Sequence, residues 1–323
     1  GTAQANIKMP QSWSVPDNKN VKWRVPIPGL AHSCPIVWGD RVFITTAINS
    51  KGKSELKLGL YGNIAPVKNP PAHSWWIYCL ARQTGKVMWK HKCHDGIPQV
   101  KRHTKATHAN STPTTDGKYI VAFFGSEGLF CLDMEGKQIW ARNFGLLDSG
   151  FFRVPRAQWG FASSPIIHED KVIIQCDVQK NSFIAALDLK TGKTLWRTAR
   201  TEVPTWSTPT VYVGSEQTQV IVNGFKHIGG YDLETGKEVW KLSGGGDIPV
   251  PTPVIGYELI FITNAHGPGS PIYAIKPKAK GNISLEQGKH SNQFIKWSMP
   301  RGGGYMQTPI VYEDHFYTCR DNG

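Results

Sequence analysis

Ser163-Ser164-Pro165-Ile166-Ile167-His168, Lys171-Val172-Ile173-Ile174-Gln175-Cys176, Phe183-Ile184-Ala185-Ala186-Leu187-Asp188 and Lys193-Thr194-Leu195-Trp196-Arg197 are four short runs rich in β-branched and apolar residues. Gly, Asp, Asn and Lys residues separate them, the pattern of a four-stranded antiparallel meander. The last corner, Thr191-Gly192-Lys193, suits a tight turn, with glycine where φ must be positive. Its tail recurs as Thr84-Gly85-Lys86-Val87-Met88-Trp89 and Thr235-Gly236-Lys237-Glu238-Val239-Trp240, with a shortened copy, Glu135-Gly136-Lys137-Gln138-Ile139-Trp140. Successive tryptophans, Trp89, Trp140, Trp196 and Trp240, stand 51, 56 and 44 residues apart. Periods of this size mark a propeller or solenoid, in which one supersecondary unit recurs and neighbours bury each other. No stretch holds a 3.6-residue apolar period, so helices are expected to be minor.

A small residue accompanies each indole: Cys79, Ala186 and Gly230 ten residues before their Trp, and Cys131 nine before Trp140. The pairing predicts an indole packed over the neighbouring unit's strand, as core rather than as ligand contact, with its N–H seeking an acceptor. The Ser/Thr-Pro first strand, the exit Ala186-Leu187-Asp188-x-x-Thr191-Gly192-Lys193-x-x-Trp196 and the Trp/small pairing together resemble the PQQ-like β-propeller repeat. That repeat occurs in quinoprotein dehydrogenases and in the scaffold lipoprotein of outer-membrane-protein assembly. The resemblance runs from about Val21 to Gly323 and implies an all-β propeller of four-stranded antiparallel blades. It implies a fold and leaves the activity open, because an enzyme family and a scaffold share it.

First-strand prolines fall at Pro35, Pro113, Pro165, Pro209, Pro253 and Pro309, and last-strand tryptophans at Trp23, Trp89, Trp140, Trp196, Trp240 and Trp297. They predict a single propeller domain over 1–323, with an extension at 1–20 and a closing strand at 21–34 that carries Trp23. Five complete blades are expected at 35–89, 113–140, 165–196, 209–240 and 253–297, with a partial one at 309–323. The family's seven or eight blades imply a longer full protein, truncated here at its C-terminus. Insertions interrupt the period at about 49–72, 92–108 and 144–160, and a fourth, about 277–294, replaces the Thr-Gly-Lys turn of the fifth unit. Long excursions on a rigid scaffold are where function tends to sit.

Formal net charge is +13, which favours anionic partners such as acidic or sulfated glycans. No dense Lys/Arg run and no nucleic-acid signature accompany it, and turn lysines such as Lys86 and Lys193 belong to the repeat, so no nucleic-acid partner is expected. The six cysteines form no CxxC and no adjacent pair, which argues against a zinc site. No membrane span or signal peptide is visible, and the resemblance implies export to the periplasm or cell surface.

In a propeller the loops feeding the innermost strands ring the central channel and make a natural concave site. Here they carry His32, His108, Asn110, Arg153, Arg156, Gln158, Trp159, Trp206, Tyr305 and Gln307. Loops after the second strands add Lys226, His227 and His266, with Glu127, Asp177, Arg320 and Asp321, on the same face. Trp159 and Trp206 offer stacking faces, and Arg153 and Arg156 suit a carboxylate or sulfate. His32 and His108 also have a plain structural reading, hydrogen bonds to loop backbone. There is no GxSxG elbow, HExxH helix or P-loop.

The favoured expectation is a binding or scaffold propeller for a protein or glycan at the loop face, with no metal. The resemblance also implies an alternative, a quinoprotein dehydrogenase using pyrroloquinoline quinone and Ca. In those enzymes an indole and a disulfide of adjacent cysteines clamp the quinone, and carboxylates serve as base and calcium ligand. This chain has no Cys-Cys pair, and only Asp177 and Asp247 offer stand-ins for the acids. A glycan-active propeller enzyme, with His and Arg as base and charge clamp, is the third expectation.

Overall fold

The structure, a computed structural model, describes residues 10–52, 56–57, 64–267 and 269–320. Part of the expected N-terminal extension, part of the 49–72 insertion and the last three residues of the partial blade lie outside the described residues. Sheet 1 contains β1 (Ile36–Trp38), β2 (Arg41–Asn49), β3 (His73–Ala81) and β4 (Val87–Gly96). Sheet 2 contains β5 (Thr114–Thr115), β6 (Tyr119–Phe123), β7 (Leu129–Asp133) and β8 (Gln138–Arg142). Sheet 3, whose four runs open the sequence reading, contains β9 (Ile166–His168), β10 (Lys171–Cys176), β11 (Phe183–Asp188) and β12 (Thr194–Ala199). Sheet 4 contains β13 (Thr210–Val213), β14 (Thr218–Val222), β15 (Ile228–Asp232) and β16 (Glu238–Leu242). Sheet 5 contains β17 (Val254–Gly256), β18 (Leu259–Thr263), β19 (Ile272–Ile275) and β21 (Ile295–Met299), while the intervening β20 (Gly281–Asn282) joins sheet 4 instead. A hairpin of β22 (Ile310–Tyr312) and β23 (His315–Tyr317) follows. Among the described residues the only helical piece is a 3-10 turn at Gly125–Glu127.

Every neighbouring pair within a sheet is antiparallel except β16 and β20, and the sheets pack as the blades of a β-propeller. First strands face the centre, with β5 against β9 and β17 against β22. The Ser/Thr-Pro motif has its reason there. At four of the five steps the backbone N–H before one proline donates to the hydroxyl before the next: Cys34 to Thr112 (3.0 Å), Thr112 to Ser164 (2.9 Å), Ser164 to Thr208 (3.1 Å) and Thr252 to Thr308 (3.1 Å). Proline has no N–H of its own to bond, so the preceding residue carries the link between sheets.

The second and third strands are the core. β10 and β11 are buried along almost their whole length and read as continuous apolar runs, as strands covered on both faces must. The last strands of sheets 2 and 3 are exposed along most of their length, with Trp140 and Trp196 as their buried residues. Each small residue is the direct ladder partner of its indole: Cys79 of Trp89, Cys131 of Trp140, Ala186 of Trp196 and Gly230 of Trp240. The ring lies on the glycine turn of the next sheet, and Trp140 and Trp196 share core clusters with strand residues of that sheet. A Cβ on Gly136, Gly192 or Gly236 would fall 2.7, 2.6 or 2.4 Å from the ring of Trp89, Trp140 or Trp196. Only glycine permits both that approach and the positive φ of the turn. The N–H of Trp89 reaches Met134 O (2.9 Å), that of Trp140 Leu189 O (2.8 Å) and that of Trp196 Leu233 O (2.8 Å). Trp23 sits likewise over Gly85 and donates to Arg82 O (2.8 Å), although residues 21–27 form no strand. Truncating a buried indole to alanine costs about 3–5 kcal/mol, so a few such seams dominate cohesion between sheets.

Antiparallel alternation also decides where a site can form. The turns between third and last strands, Thr-Gly-Lys in sheets 1, 3 and 4, lie at one end of the sheets. The loops after second and last strands emerge together at the other.

Candidate functional site

Those loops meet around Asp247, on the connection from β16 to β17. It is 3% exposed and uses both carboxylate oxygens: Oδ1 lies 2.6 Å from His266 Nδ1, and Oδ2 accepts from Arg153 Nε at 3.2 Å. An ionised carboxylate only accepts hydrogen bonds, so the imidazole turns an N–H at Nδ1 toward Asp247. The imidazole stacks on Tyr305 (5.4 Å between centroids) and meets the edge of Phe151 (5.9 Å). His266 itself has φ of +78°, a left-handed backbone that costs a non-glycine residue free energy and recurs at functional positions.

The aromatic row continues from Phe151. Its ring is parallel to Trp159 within 2° at 5.7 Å, and Trp159 meets Trp206 at 5.6 Å and His103 at 5.8 Å. The indole N–H groups are held from behind, Trp159 to Ile64 O (3.0 Å) and Trp206 to Gly160 O (2.9 Å). On the other flank Phe152 packs on Phe225, with Arg153 5.2 Å and Lys226 5.9 Å from its ring centroid. Two cations from different loops thus converge on one ring. Among the described residues Lys226 has no ion-pair partner.

Arg153, Trp159, Trp206, Lys226, His266 and Tyr305 therefore share one cluster. Asn110 and Gln158 shape the loops: Asn110 binds Thr107 and Phe161 O (3.1 Å), and Gln158 binds Asp148 (3.1 Å) and Lys101 N (3.4 Å). Arg156 is exposed and makes no ion pair among the described residues, and the Gln307 side chain accepts from Met306 N (3.2 Å). His227 turns away to Glu238 and Tyr231.

His32 and His108 belong to a neighbouring histidine group beside Arg102. His108 meets His73 at 4.9 Å and Trp75 at 6.2 Å. Burial, with the nearby His73 and Arg102 charges, pushes the His108 pKa down to about 3, and its Nε2 finds no protein partner. Burial and then Arg102 also lower His32, whose backbone N–H donates to Ala109 O (3.0 Å). His108 and Glu127 line a cavity of about 20 Å³, room for one water molecule. Burial raises Glu127 to about 7, against the opposing hydrogen bond from Gln99 N (2.9 Å).

Phe151, Phe152, Phe225 and His103 were not singled out from sequence. The only pointer was the unusual Phe151-Phe152 pair inside a long insertion.

Asp177 takes two hydrogen bonds from the fully buried Arg200 (2.7 and 3.1 Å) and a third from Gln175 (2.6 Å). Arg200 also grips Tyr231 OH (2.7 Å) and His227 O (2.6 Å), so this is a structural brace between sheets 3 and 4. With Asp177 and Asp247 both satisfied by arginine, neither offers the oxygen edge a calcium ion needs. The six cysteines are free thiols, and burial raises Cys79 to about 11 and Cys131 to about 12, so no disulfide clamp is present among the described residues. The residues present do not fit a quinone–calcium site.

A family model described as outer membrane protein assembly factor BamB matches residues 73–318. The chain belongs to this family. No curated protein sequence matches it. Among solved structures it is similar to BamB from Moraxella catarrhalis, at 13% identity over 92% of this chain and 94% of that one, with a TM-score of 0.46. It is also similar to quinohemoprotein alcohol dehydrogenase from Comamonas testosteroni (14% identity, 80% and 43% covered, TM-score 0.47). A europium-containing methanol dehydrogenase aligns at 10% identity, with 76% and 49% covered and a TM-score of 0.48. The chain spans about half or less of the two dehydrogenases. No helix among the described residues is long and apolar enough to cross a membrane.

Proposed function

We propose that this member of the BamB family is an exported binding scaffold, acting in the periplasm or outside the cell. It holds an anionic ligand, protein or glycan, at the loop face around Asp247. One observation carries the reading: Arg153 and Lys226, from separate loops, converge on Phe152 beside an aromatic row. Like charges brought together without a neutralising acid for each make a site that an anion stabilises. The family's named role in assembly and the net charge of +13 agree with a binding function.

Retention on a dextran sulfate matrix tests it. The pair Arg153→Glu with Lys226→Glu is expected to elute at much lower salt than the wild type. The equal charge change Lys86→Glu with Lys137→Glu, at the opposite end of the sheets, is expected to elute close to it. Equal losses in the two variants would mean that net charge alone drives retention, and the loop-face reading would fall.

A further inference from the structure

The two ends of the sheets differ in charge. At the turn end both signs are exposed: Asp40, Glu135, Glu169, Asp170, Glu234 and Glu258 stand among lysines such as Lys86, Lys137, Lys193 and Lys237. At the loop end the exposed charges are cations. Among the described residues the acids of those loops are Glu127, Asp148, Asp177, Glu202 and Asp247, and none is exposed. Each has a partner: Gln99 N on Glu127 (2.9 Å), Gln158 on Asp148 (3.1 Å), Arg200 on Asp177 (2.7 Å), and His266 and Arg153 on Asp247. Glu202 accepts from the backbone N–H groups of Val203 (2.7 Å) and His227 (2.6 Å). Asp95, near the end of β4, is exposed but held by Lys92 (2.7 Å). Lys57 and Lys68 before β3, Arg156 before β9, Lys180 before β11 and Arg301 before β22 are all exposed. None of them makes an ion pair among the described residues. Folding has thus buried or paired the acids of one end and left its cations in solvent.

The same end carries exposed apolar tips. Ile64 (43% exposed), Ile97 (71%), Leu146 (59%) and Met306 (54%) stand on four separate loops. Aliphatic tips give a glycan nothing to hydrogen-bond, and a protein partner buries a contiguous apolar core rather than single tips on separate loops. A bilayer interface takes both kinds of group. Anionic headgroups move to meet charges wherever the loops place them, and single aliphatic side chains enter the boundary between headgroups and acyl chains. Trp159 and Tyr305, half-buried at this end, are the residue types that favour that depth. We propose that the loop end is a docking surface for an anionic lipid bilayer. Its cations lie over headgroup phosphates, and Ile97, Leu146 and Met306 enter the interface. The turn end, with its exposed acids, faces away. This goes beyond the ligand site at Asp247, because it uses the charge of the whole end and stands without Arg153 and Lys226.

Co-sedimentation of the whole chain with vesicles tests it, comparing phosphatidylglycerol mixed with phosphatidylcholine against phosphatidylcholine alone. Binding to the anionic vesicles is expected, weakening as salt rises. Arg156→Glu with Lys180→Glu should weaken it at least about tenfold, since each basic residue near an anionic surface contributes about fivefold. Lys86→Glu with Lys137→Glu, the same charge change at the turn end, should bind close to the wild type. Ile97→Ser with Leu146→Ser should weaken vesicle binding by about tenfold while leaving elution from dextran sulfate unchanged. No binding to the anionic vesicles, or equal binding to the neutral ones, would overturn the proposal. Equal losses in the two charge variants would overturn the assignment to the loop end. Full vesicle binding by the Ile97 and Leu146 variant would mean that any polyanion suffices, and would overturn the bilayer in favour of an acidic protein or glycan. None of these variants alters Arg153, Lys226 or Asp247, so vesicle docking and the ligand site can fail independently.

Discussion

Four indole contacts follow one rule, and the fifth breaks it. At the first four, an indole covers a turn glycine and donates to a carbonyl two to three residues before that glycine, the pattern of Trp23, Trp89, Trp140 and Trp196. Sheet 5 has no Thr-Gly-Lys turn to receive Trp240. The 277–294 insertion takes its place, laying β20 parallel to β16 with Gly281 beside Trp240. The indole N–H turns to Gln219 Oε1 (3.0 Å) in its own sheet, and Gln219 Nε2 donates to Pro277 O (3.0 Å). A side-chain amide thus stands where the other seams use a backbone carbonyl. Trp240 is the most deeply buried of these indoles, at 0% exposure. An irregular seam is therefore no weaker in burial; it differs in how many separate residues must agree to build it.

The difference is sharpest at two glycines with nearly equal backbones. Gly236 has φ of +68° and Gly281 has φ of +70°. A Cβ at Gly236 would lie 2.4 Å from the Trp196 ring, while one at Gly281 meets nothing within 4 Å. Gly281→Ala should therefore pay only the left-handed backbone cost of about 1–2 kcal/mol. Gly236→Ala adds displacement of an indole and should cost about 2–4 kcal/mol. Urea unfolding of the two variants decides the matter, and equal losses would mean that the seam tolerates the methyl group by shifting the ring.

The fifth seam has its own weak point. Gln219→Leu keeps the volume but leaves a buried indole N–H and the Pro277 carbonyl unpaired, at a cost of about 1–3 kcal/mol. With Phe at 240 the orphaned donor is gone, so Gln219→Leu should cost less in a Trp240→Phe background than in the wild type by the same unfolding measurement. An equal cost in both backgrounds would show that the amide acts through packing rather than through that hydrogen bond.

The same contrast explains how much was legible beforehand. Strands, turns and the indole pattern repeat, so each copy confirms the others, and the meander at 163–197 could be read almost residue by residue. The indole was expected over the neighbouring strand, where the core clusters of Trp140 and Trp196 extend, while its closest contact, the turn glycine, was not foreseen because nothing local shows that close approach. At the loop face, residue types carried the reading: Trp159, Trp206, Arg153, Lys226, His266 and Tyr305 were chosen for their chemistry, and the fold brings them together. Pairings did not show. Arg153 and Asp247 stand 94 residues apart on segments outside the repeat, and Asp247 looked like any turn acid. His227 was chosen by position, yet Glu238 on the neighbouring strand draws it away.

The indole contacts hold no ionisable group, whereas the cavity at Glu127 and His108 does, which gives a pH signature. Burial holds Glu127 near 7 in the folded chain against an ordinary 4.5. The folded state therefore keeps a proton that the unfolded chain releases, and the stability Glu127 contributes is full below pH 4.5 and lost as pH rises to about 7. His108 runs the other way. Its folded value near 3 against an ordinary 6.5 means stability that is full above pH 6.5 and lost as pH falls toward 3. Between pH 4.5 and 6.5 the two oppose each other. Glu127→Gln is close in shape to the protonated acid, so variant and wild type should be similarly stable near pH 4.5. The variant should then gain on the wild type as pH rises toward 7, by at most about 1.4 kcal/mol per pH unit. Urea midpoints across that range measure the gap. Parallel profiles would mean that the Glu127 carboxyl titrates as it does in the unfolded chain, and that the cavity is as indifferent to pH as the indole seams.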